Sequence, residues 1–155
     1  MSKKSGSKKE IGILLGIVGI GIIIFTVFQL AFNDNDGKEF NKLVPTITYS
    51  EFQEKINNSD DFILIYGSET CSACKDYKAT ITEVFKDDYK DIDTFYIDID
   101  SFSDGDKSSI ASYLGAKSTP TSYIFISGVM NDSIEGNQDL ESIVNFFELY
   151  KSYAK

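Results

Sequence analysis

The chain has 155 residues and contains no histidine, no tryptophan and no arginine; cysteine occurs only twice. Without histidine there are no imidazole metal ligands, no imidazole general bases and no Cys–His nucleophile pairs. Two thiolates are half a zinc site, and no second Cys or His pair exists to complete one within the chain. A zinc site bridging two chains stays open. Internal repeats and low-complexity tracts are absent.

What is present is acidic. The net charge is −9. Four Lys and one Glu give the first ten residues +3, whereas 11 Lys against 23 Asp and Glu give the stretch after residue 32 a charge of −12. Such a domain is a poor ligand for a phosphate backbone, which disfavours nucleic acid as a partner. Lysine is the sole basic residue type, and Asn, Ile and Tyr are abundant. That bias is associated with AT-rich genomes such as those of low-GC Gram-positive bacteria.

The two cysteines stand close together, as Cys71-Ser72-Ala73-Cys74, after the apolar run Phe62-Ile63-Leu64-Ile65-Tyr66 and before a helical pattern. A pair at a strand-to-helix junction puts the first sulfur at a helix N-terminus, where free N–H groups and the positive dipole end favour thiolate. The alternative is a structural disulfide. It would close a very short loop and stabilise little, in a chain long enough to bury a core without staples.

Residues 11–32, Ile11 to Phe32, are uncharged, with only Thr26 and Gln29 markedly polar. Their number suffices to cross a hydrocarbon core as one helix. Lys3, Lys4, Lys8 and Lys9 precede the segment, and Asp34 and Asp36 follow it. The lysine cluster predicts a short basic cytoplasmic tail over 1–10 and a C-terminal domain outside the cell. The end Gln29-Leu30-Ala31-Phe32-Asn33 lacks the small-x-small pattern of a cleaved signal peptide, and there is no lipobox cysteine. The segment therefore reads as an uncleaved signal anchor in the cell membrane. Residues 33–45 read as a polar linker.

The soluble part, 46–155, alternates in period. Thr48 and Glu51 have capping-box spacing ahead of a helix over about 49–58. Phe62 to Tyr66 suits a central strand buried on both faces. A helix is predicted over about 72–87, a strand over Phe95–Ile99, and a short helix over Lys107–Leu114 with Gly115 as its cap. Thr121–Ile126 and Val129–Glu135 read as a hairpin about Ser127-Gly128. Leu140, Ile143, Val144 and Phe147 mark a last amphipathic helix, and Thr46–Thr48 is a candidate short strand. This order predicts an α/β fold, a central mixed β-sheet flanked by helices.

Cys71-Ser72-Ala73-Cys74 at the junction, Thr119-Pro120-Thr121 at the start of the next-to-last strand, and the frame Tyr113-Leu114-Gly115-Ala116-Lys117-Ser118 before it, with Ser127-Gly128 and Gly136 after it, are similar to the thioredoxin superfamily. The resemblance covers the whole soluble domain. It implies the thioredoxin fold, a cis peptide before Pro120 facing the cysteines, and a substrate strand paired to the backbone of Thr119. Without the cysteines, Pro120 would read as a strand start. The stretch Tyr66-Gly67-Ser68-Glu69-Thr70-Cys71 also resembles the bacteriocin-associated, thioredoxin-like transport accessory proteins of Gram-positive bacteria.

The departures matter. Thr70 stands where thioredoxin has a tryptophan, Ser72-Ala73 replaces Gly-Pro, Ala79 replaces the mid-helix proline, and Ile65 takes the place of the buried Asp below the second cysteine. The resemblance implies Cys71 as nucleophile, Cys74 as the buried resolving thiol, and Thr119 and Pro120 as substrate-binding residues. No cofactor and no metal is implied. Lys75 and Lys78 would favour thiolate if close, or be solvated surface lysines; Glu69 would oppose it if close, or be a solvated loop charge. Ser72 would donate to the Cys71 sulfur or serve as an ordinary cap. The expected function is a membrane-tethered thiol-disulfide oxidoreductase for cysteine-containing exported proteins, with disulfide formation or isomerisation favoured over reduction. Reduction would need a membrane redox partner to deliver electrons. The other reading is a non-catalytic adaptor or accessory protein of a secretion or bacteriocin system.

Overall fold

The computed structural model describes residues 37–155 except 87 and 88. The expected membrane segment lies outside the described residues; among those described, no helix is long and apolar enough to cross a membrane. Residues 37–43 are helical (α1). Then follow α2 (Tyr49–Asn57), β1 (Phe62–Gly67), α3 (Ser72–Val84), β2 (Thr94–Asp98), a 3-10 turn (Ile99–Ser101), α4 (Asp104–Leu114), β3 (Thr121–Ile126), β4 (Val129–Glu135) and α5 (Leu140–Tyr153).

The strands form a mixed sheet in the order β2-β1-β3-β4. β1 runs parallel to β2, across the α3 crossover, and antiparallel to β3, which pairs antiparallel with β4. The central position of β1 explains its unbroken apolar run, since all six residues are buried. Alternation along β1 feeds two cores. Ile63 and Ile65 face Tyr77 and Ile81 of α3 and Ile143 and Phe147 of α5. Phe62, Leu64 and Tyr66 face Phe52 of α2 and Ile110 and Leu114 of α4. Phe62 stacks on Phe125 with ring centroids 4.7 Å apart. Full burial of one such side chain contributes about 1.5–3 kcal/mol.

The caps are where the sequence places them. Thr48 Oγ1 accepts from the Glu51 N–H (3.2 Å), and the Glu51 carboxylate accepts from the Thr48 N–H (2.7 Å), which completes the capping box. Gly115 ends α4 at φ 60°, a conformation open to glycine. Ser127 and Gly128 both have positive φ, 52° and 73°, as a tight hairpin turn requires.

Several boundaries move. The expectation of a polar linker over 33–45 is corrected for its described part. Phe40, Leu43 and Val44 recur at helical spacing, and Phe40 and Val44 are fully buried in the α3/α5 core. The domain therefore begins before residue 46. The Thr46–Thr48 strand reduces to a single bridge, Thr46 to Tyr96. α3 ends at Val84 rather than 87, a position outside the described residues. β2 runs 94–98, because Ile99 turns into the 3-10 segment, where the Asp98 side chain accepts from the Asp100 N–H. α4 starts three residues before the expected Lys107: Ser103 caps it by accepting from the Asp106 N–H, and Gly105 in the first turn masks that start.

Candidate functional site

Gly67 ends β1 and Ser72 begins α3, so Ser68, Glu69, Thr70 and Cys71 form the junction. Two carboxylates from the end of β2 and the following turn hold this loop. Asp100 Oδ2 accepts from the Ser68 hydroxyl (2.7 Å), the Thr70 N–H (3.1 Å) and the Thr70 hydroxyl (3.0 Å). Asp98 Oδ1 accepts from the Glu69 N–H (3.2 Å). These donors hold the Asp100 carboxyl below its ordinary value, the Ser68 hydroxyl most of all.

Cys71 itself is the N-cap of α3. Its sulfur accepts from the Cys74 N–H at 3.3 Å, the bond a capping oxygen would otherwise make. The first turn of α3 carries no acidic residue to oppose a thiolate. Cys71 is partly exposed and Cys74 is buried; both are free thiols. Burial alone would raise the Cys71 pKa, but hydrogen bonding from the Cys74 thiol, the Thr119 side chain and the N–H groups of Cys74 and Ala73 outweighs it, and the net direction is down. Cys74 goes the other way. Burial, then its hydrogen bond with Cys71, pushes it up to about 11. The pair is therefore split into an accessible nucleophile and a protonated, buried partner.

The segment leading into β3 supplies the facing wall. The Thr119–Pro120 peptide is cis. The Cys71 thiol donates to the Thr119 carbonyl at 3.7 Å, a long contact. Pro120 is buried and Thr119 partly exposed. The four residues singled out from the sequence, Cys71, Cys74, Thr119 and Pro120, thus meet at one place.

The surrounding charges depart from expectation. Lys75 is exposed. Lys78 is not a solvated lysine: it is buried, ion-paired with Glu69, and its Nζ lies 4.2 Å from the Tyr96 ring centroid and 5.1 Å from that of Phe40. Glu69 is correspondingly a paired loop charge, and its partner is the very lysine expected to favour the thiolate. Ser72 is exposed in the first turn, and the cap role belongs to Cys71.

Three features escaped the sequence reading: the Asp98/Asp100 clamp, the buried Lys78–Glu69 pair and the Tyr96 hydroxyl. The Asp-x-Asp spacing after β2 was a usable signal for the first. For the other two no local pattern exists. Tyr96 fills the space beside Gly67, where a Cβ would stand 2.6 Å from the tyrosine oxygen. Among the described residues, no group of three or more His, Cys, Asp or Glu is arranged to hold a metal.

No curated protein matches the chain. Among solved structures, mitochondrial thioredoxin 3 from Saccharomyces cerevisiae is 18% identical with a TM-score of 0.57, covering 71% of this chain and 97% of its own. Plasmodium falciparum thioredoxin is 23% identical at 0.55, covering 69% and 98%. The thioredoxin NaTrxh of Nicotiana alata is 18% identical at 0.58, covering 70% and 92%. At such identities the likeness is one of fold. The sequence model of the family described as Thioredoxin matches residues 43–148, from the end of α1 into α5 and across the whole redox junction. With that match spanning more than half of its length, the chain belongs to the thioredoxin family.

Proposed function

We propose that this protein is a membrane-tethered thiol-disulfide oxidoreductase for exported proteins, and that it forms or isomerises disulfides in preference to reducing them. The observation that carries the reading is the split pair: Cys71 accessible and lowered at the start of α3, Cys74 buried and raised to about 11. In the oxidising direction a client thiolate attacks Cys71 Sγ of the Cys71–Cys74 disulfide. Cys74 leaves as a thiolate and is protonated. A second client thiolate then attacks the client sulfur of the mixed disulfide, and Cys71 leaves as the better thiolate. The client loses two electrons and the domain gains them. A stabilised Cys71 thiolate favours the reduced domain and makes the disulfide a stronger oxidant. The client strand would lie along Thr119, beside the cis peptide.

The tether rests on the apolar residues 11–32 and the lysines before them, with the N-terminus cytoplasmic and the domain extracellular. Disulfides persist in that compartment. The clients are cysteine-containing exported proteins. Recycling falls to a membrane redox partner, since no cofactor motif occurs in the chain. A Gram-positive source fits the lysine-only, Asn- and Ile-rich composition.

The test is the reduction potential of the pair, by equilibration with glutathione and thiol trapping. A value nearer the oxidising end of the range of about −270 to −120 mV supports the reading. A value near the reducing end assigns the protein to reduction. The second reading, a non-catalytic accessory protein of a bacteriocin or secretion system, rests on the stretch Tyr66–Cys71. Full complementation of a deletion by the Cys71→Ser, Cys74→Ser double variant would select it.

A further inference from the structure

Tyr96 is 1% exposed, and no group among the described residues hydrogen-bonds its hydroxyl. An unpaired hydroxyl in a low-dielectric interior is costly and calls for an explanation, of which a role in a redox step is one. The location of this one is specific. Tyr96 is the sheet partner of Ile65, on the face packed by α3. Its oxygen stands 2.6 Å from where a Gly67 Cβ would be. Cys74 stands one turn before Lys78 on the buried face of α3, and the Lys78 Nζ lies 4.2 Å from the Tyr96 ring centroid. The hydroxyl therefore lies against the end of β1, beside the helix face that carries the buried sulfur.

The charged and titratable groups around the hydroxyl are Glu69 from the loop, Cys74 and Lys78 from α3, Asp98 at the end of β2 and Asp100 in the turn after it. Most are already engaged. Glu69 pairs with Lys78, Asp100 holds Ser68 and Thr70, and Asp98 holds the N–H groups of Glu69 and Asp100. The Cys74 thiolate is the acceptor that appears and disappears in the exchange cycle.

We propose that the Tyr96 hydroxyl is the hydrogen-bond donor to the Cys74 thiolate, directly or across one water. The proposal rests on the exchange reading and adds a residue to it. When a mixed disulfide is resolved, Cys74 gives up its proton to solvent and its sulfur attacks Cys71 Sγ. The Cys71–client bond breaks, and the client leaves as a thiolate that solvent reprotonates. The two domain sulfurs are oxidised to a disulfide and the client is reduced by two electrons. In the reverse direction Cys74 is the leaving thiolate. In both, a negative sulfur forms in a buried site where Ile65 offers no polar group and a neutral donor lowers its energy. Burial raises the Tyr96 pKa, so the hydroxyl keeps its proton and remains a donor.

The test uses the full-length chain with Cys71→Ser, which leaves Cys74 as the one thiol. Its alkylation rate is followed across pH with Tyr96 and with Tyr96→Phe, which keeps the ring. The expected result is a titration midpoint about one unit higher in Tyr96→Phe and alkylation about tenfold slower at a fixed pH below it. An unchanged midpoint in a folded Tyr96→Phe variant overturns the proposal, because a hydroxyl that is merely buried and unpaired leaves Cys74 untouched when removed. A second readout keeps the tyrosine in place. The NMR shift of the Tyr96 ζ-carbon must follow the Cys74 titration and lose that step in Cys74→Ser; its absence overturns the proposal even if Tyr96→Phe does not fold. Alkylation requires no client, so a shifted midpoint together with no disulfide exchange by the unsubstituted protein refutes the exchange reading alone.

Discussion

The sulfur of Cys71 accepts the backbone N–H of Cys74 at 3.3 Å, so the nucleophile is also the cap of the helix that carries its partner. One bond thereby does two things. It satisfies an amide that would otherwise lack an intrahelical acceptor, and it favours the charged form of Cys71.

The pair should consequently titrate in two separated steps. Alkylation of the reduced protein is expected to modify Cys71 first, at a pH below the ordinary thiol range, with Cys74 following only near pH 11. The stability of the reduced protein follows from the sign of the Cys74 shift. Between the unfolded thiol value of about 8.5 and about 11 the unfolded state binds fewer protons than the folded one. Stability contributed by neutral Cys74 is thus complete below the lower value and lost through that window. Denaturant unfolding of the Cys71→Ser variant from neutral to alkaline pH checks this, and no extra loss relative to the double serine variant would refute it.

Phe40 tests where the domain begins. It is fully buried and meets Tyr96 edge-on, with ring centroids 5.5 Å apart. Phe40→Ala should destabilise the domain by about 3–5 kcal/mol. A linker residue would cost nothing measurable in the same chemical unfolding experiment.

Gly67 is small because Tyr96 is large. Gly67→Ala places a methyl group 2.6 Å from the tyrosine oxygen and 2.7 Å from Cε2. The expected loss is about 1–3 kcal/mol from overpacking. Combining it with Tyr96→Phe should cost less than the sum of the two single changes, because both act on one contact. Strict additivity in the double-mutant cycle would mean that the two residues do not meet.

The Lys78–Glu69 pair is lopsided, with the lysine side chain 8% exposed and the glutamate 54%. Lys78→Met removes the buried charge and keeps an apolar chain against Phe40 and Tyr96. Glu69→Gln leaves that charge without its partner. The second change should therefore be the more damaging, by about 1–3 kcal/mol, less than for a dry pair because solvent screens Glu69. Melting curves of the two variants decide the order.

Local chemistry made much of this legible in the sequence. The Thr48/Glu51 capping box, the apolar run of β1, the turn at Ser127-Gly128 and the glycine cap of α4 each lie within a few residues of the groups they satisfy. Cys71 and Cys74 are legible for the same reason, because a strand followed by a helix fixes which sulfur stands at the helix start; that Cys71 rather than Ser72 is the cap came from the structure. The helix at 37–43 was hidden because its polar residues outnumber Phe40, Leu43 and Val44, whose burial depends on α3 and α5 far along the chain.

The sequence by itself determined the element order from α2 onward, the mixed sheet and the position of the cysteines on a helix start, since these follow from periodicity and capping over short spans. Only the tertiary structure decided that Lys78 is buried and paired, that Asp100 holds the loop before Cys71, and that the Tyr96 hydroxyl lies unpaired beside Gly67. Those facts depend on contacts between β1, α3 and β2. Segments distant in sequence meet there, and burial rather than residue type sets the chemistry.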